Sequence, residues 1–362
     1  MKMGFSIVLP CAVIFLTCAA AAADPLRDQA KGPFEPLPDA APAQPDNPVT
    51  PEKVALGKML YFDPRLAESN DISCGTCHNL SMGGGGGRAP AIGHNGQLGG
   101  RKAPTVLNAL LNKSQFWDGR ASGLKEQVTN SVMANPGALL AARGGAIAPN
   151  PADMTVAKRH AVERLKAIPG YAGPFKKAFR GEPDPITYDN VGQAIAAFES
   201  TLITPGAPFD LWLKGDDEAL SEEQKQGLKI FMDKGCSNCH NGKYIGGGMY
   251  ARFGAVKNPG SEFLPPDDLG RFALTKNVSD KYVFKVPSLR NVELTAPYFH
   301  CGRALDLKQA ILVMGESQLG QKLDEGEVEK LAAFLKSLTG RQPEVILPIL
   351  PPSEAAPPRP QP

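Results

Sequence analysis

The sequence predicts a mostly α-helical chain in which one domain is used twice, and three observations carry this. The pentapeptide Cys-x-x-Cys-His stands at Cys74–His78 and again at Cys236–His240, 162 residues later. A second set of strings recurs at a constant offset of 183: Lys102-Ala-Pro-Thr-Val-Leu-Asn108 against Lys285-Val-Pro-Ser-Leu-Arg-Asn291, and Phe116-Trp-Asp-Gly-Arg-Ala121 against Phe299-His-Cys-Gly-Arg-Ala304. The same offset holds through Leu124-Lys125 and Leu307-Lys308. Apolar residues keep helical spacing ahead of each pentapeptide, and no long stretch alternates with the period of a strand.

Taken in order, residues 1–23 read as a secretory signal: Lys2, an apolar run from Phe5 to Ala20, then Ala21-Ala22-Ala23 before Asp24. Thr17 before Cys18 matches a lipoprotein cleavage site poorly, so a lipid anchor is the lesser alternative. No other stretch is apolar and long enough to span a bilayer. The expected location is therefore outside the cytoplasm, in the periplasm of a Gram-negative host. Residues 24–50, rich in Pro and Ala, read as an extended or disordered lead-in. Thr50-Pro51 marks a helix start, with Leu56, Met59 and Leu60 as its apolar stripe. Ser221 with Gln224 forms a capping-box pattern ahead of Leu228, Phe231 and Met232. Val191, Ala194, Ile195 and Phe198 mark a helix between the repeats, followed by a connector over 204–217. A last helix over 325–338 buries Val328, Leu331, Ala332, Leu335 and Leu338, and residues 341–362 read as a proline-rich tail. The domains expected are thus 51–205 and 206–340.

Each pentapeptide has the spacing that ties a haem covalently to protein: Cys74 and Cys77, or Cys236 and Cys239, take the vinyl groups, and His78 or His240 binds iron from one side. A zinc site or a redox dithiol would need the trailing histidine twice by chance. Two covalently bound haem c groups are the cofactors expected. Without the signal five cysteines remain, four in these motifs, and Cys301 is left as an inert buried thiol or a reactive one. The net charge of +2 gives no case for nucleic acid.

The two copies differ at the other axial position. In the second half Met314, 74 residues after His240, is the sixth-ligand candidate, and a thioether there raises the reduction potential. The aligned residue in the first half is Ser131. The candidate there is His94, carried by a glycine-rich run from Gly83 to Gly100 whose backbone adopts many conformations at little cost. Such a ligand can leave the iron and open a site. Met133, two residues from the alignment point, is a rival, and His160 lies on a charged helical stretch and reads as exposed. Trp117 and His300 are the aligned pair of the two copies; the indole is either an electron bridge between the haems or a filler of an apolar gap.

With these residues in place, the chain resembles the bacterial dihaem cytochrome c peroxidases, a family that includes MauG-like enzymes. The strings that carry the resemblance include Leu56-Gly-Lys-Met-Leu-Tyr-Phe-Asp63, Ile92-Gly-His94, Gln115-Phe-Trp-Asp-Gly-Arg120, Leu294-Thr-Ala-Pro-Tyr-Phe-His300 and Val313-Met-Gly315, within residues 50–340. The resemblance implies two tandem cytochrome c-like haem domains related by duplication, the first peroxidatic and the second a high-potential electron acceptor. It implies His94 as the displaceable ligand, Met314 as the fixed one, Trp117 as the bridging tryptophan and Gln127 as a distal-pocket glutamine. Methionine rather than tyrosine at 314 favours a peroxidase over a MauG-like oxidase.

Two departures stand out. Where the family usually carries a glutamate, the run reads Asn130-Ser131-Val132-Met133. Lys102 replaces an asparagine that helps hold a calcium ion between the haems, while Thr295 and Pro297, which bind through backbone carbonyls, are present. A lysine ammonium can take the cation's place, so calcium is left open.

The function expected is reduction of hydrogen peroxide to water with electrons from a small cytochrome c or cupredoxin. The alternatives are a MauG-like oxidase acting on a protein or organic substrate, and a non-enzymatic dihaem electron carrier. The donor is not named by the residues, and the oligomeric state, a homodimer included, is open.

Overall fold

The chain is helix-rich with little sheet. The computed structural model describes residues 24–67, 70–87, 89–93, 96, 98–129 and 151–353, without the side chains of 151–154 and 157. In chain order the helices are α1 (Pro25–Ala30), α2 (Pro51–Phe62), α3 (Cys74–Cys77), α4 (Leu124–Thr129), α5 (Pro151–Lys166) and α6 (Ala172–Ala178). They continue with α7 (Tyr188–Ser200), α8 (Pro208–Leu213), α9 (Glu222–Asp233), α10 (Phe272–Thr275), α11 (Leu307–Leu319) and α12 (Glu325–Lys336). Two short strands, β1 (Tyr250–Arg252) and β2 (Val283–Lys285), pair antiparallel with Ala251 opposite Phe284. No helix among the described residues is long and apolar enough to cross a membrane.

The caps act where the sequence puts them. The Thr50 hydroxyl accepts the Lys53 amide at 3.2 Å with Pro51 at the first helical position, and Ser221 and Gln224 close their reciprocal capping box. Glycine sets how the long helices cross. A Cβ on Gly57 of α2 would lie 1.8 Å from the Ala194 carbonyl oxygen of α7. One on Gly227 of α9 would lie 1.9 Å from the Lys330 carbonyl oxygen of α12. Each pair therefore packs backbone against backbone.

Two apolar cores result. One gathers Leu56, Leu60 and Tyr61 with Val191, Ile195 and Phe198, and Cys74 packs on it. The other gathers Phe209, Trp212, Leu228 and Phe231 with Val328, Leu331 and Phe334, and Cys236 packs on it. Residues 183 apart share backbone geometry. Asn108 and Asn291 take φ of 57° and 58°, and Phe116 and Phe299 take 67° and 69°. Both asparagines, through Nδ2, donate to the Thr204 hydroxyl, at 2.8 and 2.9 Å, so this one side chain pins the two cores together.

Three segments differ from expectation. Residues 24–50, expected as extended or disordered, begin with α1, and Ala30 and Phe34 enter the second core. The Leu37 amide donates to Asp210 at 3.2 Å, and Asp210 is paired with Arg290, both side chains fully buried. The connector over 204–217 contains α8, whose Trp212 is fully buried. Over its described residues, 341–353, the expected tail runs extended back over the first half. Val345 packs on the first core, and Arg65 Nη1 donates to the Pro351 carbonyl at 2.8 Å and to the Ser353 hydroxyl at 2.9 Å. Proline pre-orders an extended backbone, so such a strap docks at small entropic cost, and composition alone does not separate it from a linker.

Candidate functional site

Each pentapeptide forms a single tight turn. The His78 amide donates to the Cys74 carbonyl at 2.8 Å and the His240 amide to the Cys236 carbonyl at 3.0 Å. That places the first cysteine and the histidine one turn apart, on the same side. Burial pushes the Cys74 thiol well up, with a further push from Glu199, and lifts Cys236 to about 11. Cys77 is also raised by burial. Among the described residues, these four cysteines form no disulfide.

Both histidines are held neutral by burial. His78 Nδ1 lies 2.8 Å from the Pro104 carbonyl, which as an acceptor fixes the proton on Nδ1 and leaves Nε2 as the bare nitrogen. The His240 ring lies by the backbone of Ile245 and of Pro287, the counterpart of Pro104, and its Nδ1 closes no full hydrogen bond among the described residues. Burial lowers His78 and brings His240 down to about 4, so both are uncharged at neutral pH. The Tyr61 hydroxyl donates to the His78 carbonyl at 2.6 Å and steadies that turn.

In the second half Cys236, Cys239, His240 and Met314 all line one cavity of about 260 Å³. Its walls are mostly apolar, with Phe231, Ile311 and Leu331 among them. Two thiols, an imidazole nitrogen and a thioether facing an apolar cavity make a donor set that fits a haem. The cavity reaches the seam between the halves, where Trp117 and His300 also line it. Trp117 Nε1 donates to the Lys102 carbonyl at 2.9 Å, so the indole is held as well as packed. Its ring meets that of His300 edge to face, centroids 6.2 Å apart at 69°.

His300 is buried, stacks on Phe284 at 4.1 Å, and has its Nε2 3.8 Å from Asp268, too far to bond. Burial brings it down to about 4 against the pull of Asp268. Arg101 holds Asp268 at 2.6 Å and Asp118 at 2.9 Å, tying the two halves at this point. Lys102 donates its ammonium to the Thr295 carbonyl.

Gln127 sits on α4 with its side-chain oxygen buried and without a hydrogen-bond partner among the described residues. His94 and Met133 lie outside the described residues, as does Ser131, while His160 is exposed on α5. The Cys301 thiol contacts the Phe263 carbonyl at 3.2 Å and is half-buried. Sequence reasoning missed two residues here. Glu199, buried beside Cys74 with an unpaired oxygen, is raised to about 8 by burial, and nothing in its helical pattern marks it. Lys285, which shares the seam, was signalled by its place opposite Lys102 in the repeat.

Comparison with known proteins agrees with this geometry. The family model described as di-haem cytochrome c peroxidase matches residues 51–218. The chain is 46% identical over 360 residues to the cytochrome c551 peroxidase of Pseudomonas aeruginosa, covering 99% of both. It is 36% identical to the methylamine utilization protein MauG of Methylorubrum extorquens, covering 87% of this chain and 86% of that one. Among solved structures, a MauG-like protein associated with microbial copper homeostasis superposes with a TM-score of 0.70 at 26% identity, over 84% of this chain and 95% of that one. The chain therefore belongs to the di-haem cytochrome c peroxidase family and is an oxidoreductase of that class.

Proposed function

We propose that the chain is a periplasmic dihaem peroxidase that reduces hydrogen peroxide to water with electrons from a small cytochrome c or cupredoxin. The observation that carries this reading is one mostly apolar cavity in which Cys236, Cys239, His240 and Met314 converge and which Trp117 also lines at the seam. The name of the Pseudomonas aeruginosa relative, matched end to end, supports the same chemistry.

In this reading the halves, 51–205 and 206–340, are two copies of a cytochrome c-like domain, each holding one haem through its cysteine pair. The recurrence of backbone geometry at an offset of 183 supports the duplication. His78 and His240 would each hold one haem iron, with Met314 as the further ligand in the second half and His94 as the displaceable one in the first. Haem iron, when bound, supplies the electron storage and the cleavage of peroxide. The protein's part is positional. The Pro104 carbonyl keeps the His78 proton on Nδ1, which raises the basicity of Nε2. Met314 and His240, both in an apolar site, favour the reduced state of the second centre. Trp117, fixed by its bond to Lys102, offers a π-system between the two sites. The unpaired oxygen of Gln127 is an acceptor on the first-half side that can orient a peroxide hydroxyl. At the position expected for calcium, the Lys102 ammonium already occupies the Thr295 carbonyl, so we assign the cation's role there to this side chain.

An anaerobic experiment tests the proposal. Reduce only the high-potential centre, add hydrogen peroxide, and follow the haem spectrum and donor oxidation together. A high-spin first centre with steady donor turnover supports a peroxidase. Two centres that stay low-spin and inert to peroxide would make the chain an electron carrier.

A further inference from the structure

The cavity that holds the second cysteine pair is lined by four cationic side chains, Lys102, Lys234, Arg252 and Lys285, and by no aspartate or glutamate. Lys234 is answered by Glu327 at 2.7 Å, and Arg252 is exposed at the rim. The other two are different. Lys102 is 6% exposed and Lys285 8%, and neither has a carboxylate partner among the described residues. Each ammonium has one neutral acceptor, the Thr295 carbonyl for Lys102 and Asn112 Oδ1, at 3.0 Å, for Lys285. An ammonium carries three donors, so each keeps capacity to spare.

Their placement is reciprocal. The Lys102 amide donates to the His300 carbonyl at 2.8 Å, and the Lys285 amide donates to the Trp117 carbonyl at 2.7 Å. Both chains are therefore held at the seam by the backbone of the opposite half. Burial alone brings both ammonium groups down to about 8. Buried cations without a counter-charge are costly, and proteins retain them where a ligand brings the missing anion.

We propose that Lys102 and Lys285 are a paired anchor for carboxylates, and that together they bind the two propionate groups of the haem attached at Cys236 and Cys239. The inference rests on the haem reading above. A haem entering this cavity brings two carboxylates and meets two ammonium groups that have no carboxylate partner among the described residues. The match orients the macrocycle with its charged edge toward the seam and its apolar edge into the second core. Neutralising the two carboxylates would also remove their negative field from the iron, which favours the reduced state and adds to the effect of Met314.

The test uses the purified holoprotein carrying Lys102→Met, Lys285→Met or both, with Lys285→Arg as the charge-conserving control. Covalent haem content and the oxidised spectrum are checked first. A protein without two bound haems would refute the haem reading itself, before any variant is compared. The midpoint potential of each haem is then measured by spectroelectrochemistry, with infrared redox-difference spectra over the carboxylate bands. Each methionine variant is expected to lower the second haem's potential, shifting its oxidised-to-reduced ratio at fixed poise by about tenfold, or 59 mV for one electron. The arginine control should stay near wild type, and the carboxylate bands should move in the methionine variants alone. Unchanged potentials and bands in correctly loaded variants would overturn the proposal. So would a shift confined to the first haem. If Lys285→Met fails to fold, Lys285→Gln and the carboxylate bands of Lys102→Met decide in the same way.

Discussion

Trp117 and His300 occupy equivalent places in the two repeats and meet across the seam, edge to face at 6.2 Å. Each main chain accepts a hydrogen bond from a lysine of the other half, Lys285 to Trp117 and Lys102 to His300. The pair is thus a joint whose two rings are set by the same backbone exchange. In one copy the ring is an oxidisable indole; in the other it is an imidazole held neutral by burial.

Replacing Trp117 with Phe keeps an aromatic filler but removes both the indole and its bond to the Lys102 carbonyl. Electron transfer between the haems should slow by at least about tenfold, a barrier increase of roughly 1.4 kcal/mol. Flash reduction of the second haem, with the first followed optically, measures it. Equal rates in the two proteins would leave Trp117 a packing residue.

Gly57→Ala and Gly227→Ala should each destabilise the protein by about 1–3 kcal/mol or more, since each added methyl meets a backbone carbonyl that cannot give way. Gly173 in α6 is the control, because a Cβ there meets nothing within 4 Å. Gly173→Ala should be neutral or stabilising by up to about 1 kcal/mol. Denaturant unfolding of the three variants under identical conditions checks the contrast.

Asp210 and Arg290 form a two-point ion pair, at 2.7 and 2.8 Å, with both side chains essentially out of solvent. Asp210→Ala would strand the guanidinium and release the Leu37 amide, at a cost of about 3–5 kcal/mol. A double variant, Asp210→Leu with Arg290→Met, should recover most of that loss. Failure of the double variant to recover would mean the pair contributes more than mutual neutralisation.

Glu199 gives stability a pH dependence. Its folded-state value, about 8, lies above its unfolded value of 4.5, so the folded protein holds this proton more tightly. The associated stability is complete below about pH 4.5 and is lost as pH rises toward and through 8, at up to about 1.4 kcal/mol per pH unit. Glu199→Gln should remove this slope, flattening the melting temperature between pH 5.5 and 8. A wild-type curve already flat in that range would mean that Glu199 is ionised without penalty.

Much of the site was legible as pattern. The two cysteine–histidine pentapeptides are local, since each closes in one turn whatever surrounds it. The 183-residue repeat made Trp117, His300, Lys102 and Lys285 visible as pairs before any packing was known. Glu199 and the Asp210–Arg290 pair gave no such sign, because burial of a charged side chain depends on what other segments lay over it. The same applies to Phe34 and Val345, each in a proline-rich stretch, and each anchored in a core by contacts from distant parts of the chain.

By itself, the sequence determined the helical character, the cysteine and histidine positions and the internal repeat, all of which depend on spacing along one segment. Only the tertiary structure decided that Cys236, Cys239, His240 and Met314 share one cavity, and that two lysines face it with no carboxylate among the described residues to answer them. Convergence of residues far apart in the chain follows from how helices cross and which backbone atoms meet at glycine. Those are properties of surfaces in contact, and a linear pattern does not carry them.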